Sequence, residues 1–203
     1  MEGVEGCGKS THAGFLARRL RARGYRVLLT AEPGGSAAGK SIRECLLTPR
    51  GHVGPLAELF LFEADRSQHV REVIRPALAR GAIVVCDRFS DSSRAYQGVG
   101  RGLGLRLVNA VDRMATGGLR PDLTLLLDVP VRRGVERARK RGALTRLDRE
   151  SLAFHGKVRR AFLNLAARSG GRFHVIGALG PASETAAAVD CAVASALRRK
   201  GLA

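Results

Sequence analysis

Apolar residues along this chain follow two different registers. At Ala13, Leu16, Ala17 and Leu20 they recur every three or four positions, which lines one face of a helix. That pattern predicts a helix over 9–23, and Gly24 suits its C-terminal end. Further helical periods cover 38–47, 56–78, 105–114, 131–141, 151–168 and 182–199, with Pro76 expected to kink or break the third of these seven. Four other stretches, 26–30 (R-V-L-L-T), 83–87 (I-V-V-C-D), 123–128 (L-T-L-L-L-D) and 173–176, are short and nearly continuous in apolar residues. Runs of that kind suit strands buried on both faces. The four glycines of 98–104 read as a loop. Short apolar strands alternating with helices predict an α/β fold, a parallel β-sheet flanked by helices on both faces. Ligands in such sheets sit at the carboxyl ends of the strands, which directs attention to 32–36, to Asp87 and Arg88, and to Asp128 onward.

Composition narrows the class without naming a function. With 203 residues the chain suits one domain spanning 1–203, large enough for a full core. It has no run of 18 apolar residues and no leader-like start, so no membrane partner and a cytoplasmic location are expected. Cys7, Cys45, Cys86 and Cys191 are scattered, without metal-ligand spacing or a disulfide pattern. The net charge of +17 comes almost wholly from arginine, because lysine occurs only at 9, 40, 140, 157 and 200. A nucleic-acid surface could carry such a charge. Aromatic content of 4% and the spread of arginine over most helices argue against one, so small anionic ligands rather than nucleic acid are expected.

The strongest chemistry lies at the start. Residues 3–10 read G-V-E-G-C-G-K-S, the phosphate-binding loop, and Thr11 follows. Gly3, Val4, Glu5, Gly6, Cys7 and Gly8 would turn backbone N–H groups around a phosphate chain. Lys9 would meet the β- and γ-phosphates, and the Ser10 hydroxyl would ligate Mg²⁺. The helix that follows adds the positive end of its dipole. This loop ordinarily follows a strand, yet only Met1 and Glu2 precede Gly3. A truncated central strand is therefore expected, with the natural chain starting upstream and a lane of the sheet left empty.

Several short motifs then fall at the expected strand ends. These are E-P-G-G-S at 32–36, F-E-A-D-R at 62–66, D-R-F at 87–89 and S-S-R-A-Y-Q-G at 92–98. R-P-D-L-T-L-L-L-D-V follows at 120–129 and R-A-R-K-R-G at 137–142. In this order the chain resembles the bacterial thymidylate kinase family of P-loop nucleoside monophosphate kinases, from Gly3 to about Ala178. The resemblance implies transfer of the γ-phosphoryl group of ATP to dTMP, giving dTDP and ADP for dTTP synthesis. It assigns Mg²⁺ to Ser10 and Asp87, and catalytic parts to Lys9, Arg88, Glu5 and a lid arginine. Substrate contacts would come from Glu32, Arg43, Phe60, Arg66, Arg88, Ser93, Tyr96 and Gln97. Phe60 would stack on thymine, Arg66 would read its carbonyl edge, and Tyr96 would crowd a ribose 2′-hydroxyl. The phosphate loop lacks arginine, whereas Arg137, Arg139, Arg141 and Arg146 crowd a small mobile lid at about 137–150, with Arg141 the first choice for the transferring phosphoryl. The resemblance also implies a homodimer. Ser36 and Gly177 depart from the residues commonest in the family. Two alternatives stay open: another P-loop kinase for a small substrate, or a P-loop protein that binds nucleotide or nucleic acid without phosphoryl transfer.

Overall fold

The structure, a computed structural model, describes residues 1–48, 53–142 and 144–202. Residue 143, inside the expected lid, falls outside the described residues. In chain order the elements are α1 (Lys9–Ala22), β1 (Val27–Ala31), α2 (Ala37–Leu47), α3 (Pro55–His69), α4 (Arg75–Ala79), β2 (Ile83–Asp87) and α5 (Ser90–Ser93). There follow α6 (Leu105–Thr116), β3 (Thr124–Asp128), α7 (Val131–Lys140), α8 (Leu152–Ala167), β4 (Phe173–Gly177) and α9 (Ala182–Arg199).

All four strands are parallel to their partners. β1 pairs with β2 from Val27↔Ile83 to Ala31↔Asp87, and β3 pairs with β4 from Thr124↔Phe173 to Asp128↔Gly177. Residues 1 and 2 join the two pairs. The Met1 amino group donates to the Cys86 carbonyl and the Arg88 N–H donates to the Met1 carbonyl, both at 2.9 Å. On the other side the Glu2 N–H donates to Leu125 at 2.8 Å, and the Leu127 N–H donates to the Glu2 carbonyl at 2.9 Å. The lane expected to stand empty is instead occupied by these two residues, with Glu2 in a parallel bridge to Leu126. Burial fits the strand type, since Leu125, Leu126 and Leu127 are all enclosed. Their core extends to Val4, Leu16 and Leu20 below the loop and to Phe154, Phe162 and Val193 from the later helices.

Two local expectations change. The helix expected over 56–78 is divided: α3 ends at His69, a π-helical turn covers Val70–Ile74, and Pro76 sits at the start of α4. Proline brings no N–H, and the wider turn just before it absorbs the missing bond. The expected loop at 98–104 begins inside a helix, because Arg94–Gly100 is π-helical. Gly98 and Gly100 serve packing, whereas Gly102 and Gly104 take positive φ in open space. A Cβ on Gly100 would stand 2.9 Å from the Phe154 ring, so the bare backbone lets α8 lie directly against this turn.

Candidate active site

The carboxyl ends of β1 and β2, the phosphate loop and the segment after α7 enclose a cleft of about 490 Å³. The loop forms its floor. Gly3, Gly6 and Gly8 have φ of 141°, 68° and 94°, in the region that favours glycine. Close packing adds a second reason at Gly6, where a Cβ would overlap the Gly134 carbonyl of α7. Gly134 answers in kind, since its own Cβ would come within 2.5 Å of the Glu5 carbonyl oxygen. A glycine inside a helix costs about 1 kcal/mol relative to alanine. Here it lets α7 rest on the phosphate loop.

Lys9 is nearly enclosed, and its ammonium donates to the Gly3 and Val4 carbonyls at 3.0 and 2.9 Å. The ammonium is therefore held inside the loop, where a phosphate chain would lie. The Ser10 hydroxyl donates to Asp87 Oδ2, while Asp87 Oδ1 is buried without a hydrogen-bond partner among the described residues. A hydroxyl beside a carboxylate with one unused buried oxygen fits a hard divalent cation. Glu32, His69 and Cys86 also converge within 4.8 Å. That group is poorly suited to a metal, because both His69 nitrogens and both Glu32 oxygens already have protein partners. Burial further pushes the Cys86 thiol well up, away from the thiolate form.

One wall is built from charged side chains that are almost fully buried. Arg66 donates through Nε to Glu32 at 2.8 Å, and through Nη1 to Glu63 and to Ser93 Oγ, the latter at 2.9 Å. Asp112 lies 3.5 Å from the same Nη1. Arg66 Nη2 has no protein partner among the described residues. Asp65, one position earlier, accepts from the Gly34 N–H at 2.9 Å and so fixes the 32–36 turn. Burial raises its carboxyl to about 6. Arg43 caps the same turn from α2, donating to the Pro33 carbonyl at 2.7 Å.

A second cluster surrounds Glu5. Arg88 takes φ of 69°, alone in that region among the described non-glycine residues. A side chain held there costs on the order of 1–2 kcal/mol. The turn aims its guanidinium back at the loop, where Nη2 donates to Glu5 Oε1 at 3.0 Å. The Tyr96 hydroxyl lies 2.7 Å from both Glu5 oxygens. His155 Nδ1 is 3.1 Å from Oε2. Burial alone would raise the Glu5 carboxyl, but His155, Arg88 and Lys9 together hold it down to about 2. Glu5 is thus a fixed anion.

The structure brings together Glu5, Gly6, Gly8, Lys9, Ser10, Thr11, Glu32, Arg43, Arg66, Asp87, Arg88, Ser93, Tyr96, Gln97 and Arg141 around the cleft. Gly3, Val4 and Cys7 form the loop beneath it, with Val4 and Cys7 in the core. Phe60 does not belong to the cleft. It is 52% exposed on the outer side of α3, one turn from the exposed Leu56. Phe62 lines the cleft instead. Two residues apart on a helix is about 200° of rotation, so the two rings face opposite ways. Asp128 is also outside, paired at 2.7 and 2.8 Å with Arg159.

The four arginines of the expected lid separate. Arg137 donates to the carbonyls of Ala178 and Leu179, at 2.8 and 2.9 Å. Arg146 donates to the Leu46 carbonyl at 3.1 Å and to Glu58 Oε2 at 2.5 Å. Arg139 lies on the exposed side of α7, away from the cleft lining. Only Arg141 of the four reaches the cleft, its side chain 60% exposed and 3.6 Å from Asp148. Sequence reasoning missed Phe62, Glu58, Asp65 and His155. Phe62 and Asp65 carried a signal, since both lie inside the 62–66 motif and Phe62 is one turn before Arg66.

Known proteins are similar to this chain over most of its length. The thymidylate kinase family model matches residues 1–189. A thymidylate kinase of Desulfovibrio desulfuricans is 51% identical, covering 98% of this chain and 96% of its own. One from Pseudomonas fluorescens is 48% identical at 98% and 95% coverage. The crystal structure of thymidylate kinase from Ehrlichia chaffeensis superposes with a TM-score of 0.79 at 30% identity, covering 95% of each chain. The chain belongs to the thymidylate kinase family.

Proposed function

We propose that the cleft transfers the γ-phosphoryl group of ATP to dTMP, giving dTDP and ADP, with the phosphate loop on the donor and the Arg66 and Arg88 walls on the acceptor. The observation that supports this division is that the buried Arg66 and the half-buried Arg88 line the same cleft as Lys9. Both reactants are polyanions, so catalysis is mainly charge neutralisation and in-line positioning, and no protein nucleophile is required. Lys9 leaves the Gly3 and Val4 carbonyls for the β- and γ-phosphates. Ser10 and Asp87 would hold Mg²⁺, which neutralises charge developing on the phosphate oxygens. Arg88 grips the acceptor phosphate, since a guanidinium offers two parallel donors to it. Phe62 stacks on the thymine, and the unused Nη2 of Arg66 supplies a donor to its carbonyl edge. Gln97, held at 2.8 Å by Glu58, and Ser93 complete the base site. Tyr96, enclosed and fixed by Glu5, occupies the side where a 2′-hydroxyl would lie.

Arg141 is the lid arginine assigned to the transferring phosphoryl, because its head is in the cleft and lightly tethered. A homodimer has physical support in an apolar stripe on neighbouring helices: Leu56 and Phe60 on α3, Leu107 and Met114 on α6, all exposed. ATP as donor places the reaction in the cytoplasm, and no helix among the described residues is long and apolar enough to cross a membrane. The test is ADP release from ATP and Mg²⁺ with dTMP, dUMP, ribo-TMP and dGMP as acceptors. dTMP should give the highest kcat/KM, and a protein that prefers dGMP would overturn the base-site assignment.

A further inference from the structure

His155 lies on α8, 1% exposed, and neither ring nitrogen has a well-aligned hydrogen bond among the described residues. A buried polar ring left in that state is costly unless its surroundings use it. Its position is tightly defined. The Phe154 ring packs edge-on at 5.8 Å, and Ser151 caps the start of α8 by accepting from the Phe154 N–H at 3.1 Å. This fixes where the ring stands. Nδ1 then approaches Glu5 Oε2 obliquely at 3.1 Å.

Glu5 distributes its two oxygens unequally. Oε1 takes the Arg88 guanidinium at 3.0 Å as well as the Tyr96 hydroxyl. Oε2 takes the same hydroxyl and faces His155. The loop backbone beneath is locked by the contact of Glu5 with Gly134, so the carboxylate rotamer is what remains to be set. An acceptor phosphate must compete with Oε1 for Arg88. When the guanidinium turns to that phosphate, Glu5 keeps a buried negative charge and loses the one arginine paired with it. A buried charge left without a partner is strongly unfavourable. The imidazole beside Oε2 is the group positioned to compensate.

We propose that His155 is a positioning residue for the acceptor half of the cleft: by holding Oε2 of Glu5 it leaves Oε1 to aim Arg88 at the acceptor phosphate and allows Arg88 to be released to it. The proposal rests on the reading that Arg88 and Tyr96 face the acceptor nucleotide. His155 is not among the residues that line the cleft, so its effect runs through Glu5.

The experiment is steady-state kinetics of the full chain with His155→Phe, which keeps a ring and removes the donor, and His155→Asn, whose amide nitrogen falls near the Nδ1 position. Thermal melts verify that each variant is folded. His155→Phe should raise KM for dTMP by roughly tenfold, the scale of one lost interaction with a buried charge. KM for ATP should stay within about twofold. His155→Asn should restore most of the dTMP affinity. In a Glu5→Gln background His155→Phe should add less than about twofold, because coupled residues give non-additive effects. An unchanged dTMP KM in His155→Phe, failure of His155→Asn to restore it, or a full penalty retained in Glu5→Gln overturns the proposal. An Arg88→Ala enzyme with normal dTMP KM overturns the acceptor reading beneath it, which is a separate failure.

Discussion

Arg66 and Arg141 face the same cleft and are held in opposite ways. The Arg66 side chain is 2% exposed and surrounded by Glu32, Glu63, Ser93 and Asp112. The Arg141 side chain is 60% exposed, with one carboxylate 3.6 Å away. The proposed acceptor wall is therefore set before substrate arrives, because buried carboxylates on α3, α6 and the phosphate loop already fix its cations. Arg141, the proposed lid arginine, has no such shell and would be set only by what binds in the cleft. Preorganised groups lower the cost of binding, while a mobile group delivers charge at the moment of transfer and excludes water. Arg146 marks the boundary between the two regimes. It lies in the segment proposed as a lid but is tied through Glu58 to Arg101 and Gln97, which anchors that segment to the proposed acceptor wall.

The largest effect should come from Lys9, which serves both regimes. Lys9→Ala is expected to reduce ADP release to background while the protein still melts cooperatively, with some loss of stability from the freed Gly3 and Val4 carbonyls. Turnover within a few-fold of the unaltered chain would remove the phosphate-loop assignment. Arg141→Ala comes next. Arginines that act on the transferring phosphoryl of P-loop enzymes contribute on the order of 10³–10⁵ in rate. Arg141→Ala should therefore lower kcat by about 10³ with little change in KM for dTMP. Arg146→Ala should instead raise KM for dTMP, because it loosens Glu58 and with it Gln97. If Arg146→Ala lowers kcat more than Arg141→Ala does, the division between lid and wall fails.

A smaller effect separates the two faces of α3. Phe62→Ala should raise KM for dTMP by roughly 10- to 100-fold, the range for losing one base-stacking ring. Phe60→Ala should stay within about twofold, as surface changes do, and its effect should appear in the monomer–dimer balance followed by sedimentation. The reverse order of the two KM values would put the stacking role back on Phe60.

These pairs also indicate what the amino-acid sequence could disclose. The phosphate loop was legible because its function lies in backbone shape, and glycine spacing records backbone shape directly. The α/β alternation was legible for a similar reason, since strands such as 124–128 centre on an unbroken apolar run, Leu125 to Leu127. Phe60 and Phe62 show the limit. Both rings sit in one helix of unclear apolar face, and the choice depended on which side α6 covers. Arg141 is the one of the four expected lid arginines that lines the cleft, but nothing in R-A-R-K-R-G disclosed that Arg137 would be spent on the carbonyls of Ala178 and Leu179. His155 and Glu58 were hidden because their partners lie 150 and 43 positions away, at Glu5 and Arg101, contacts that only the folded chain brings together. Glycines 98 and 100 misled in the other direction, because close packing and loop formation leave the same residue type.

The cost of the preset wall can be measured at Asp65. This carboxyl is fully buried, has one oxygen bonded to the Gly34 N–H and has the other unpartnered among the described residues. Burial raises its folded value to about 6 from an ordinary 3.8. Below about pH 4 the group is protonated in both folded and unfolded chains and contributes no penalty. Between pH 4 and 6 the unfolded chain releases the proton and the folded one retains it, so stability falls as pH rises. Above about pH 7 the folded state carries the buried charge, at a cost on the order of 1–3 kcal/mol. Asp65→Asn keeps an acceptor for Gly34 and cannot ionise. Urea unfolding of both proteins at pH 4, 5, 6 and 7.5 should therefore show the variant gaining on the parent between pH 4 and 6 and holding a constant lead above. Other carboxylates titrate equally in both chains and cancel in the difference. A difference that does not change with pH would mean Asp65 ionises freely in the fold, and that the wall is less dry than its burial implies.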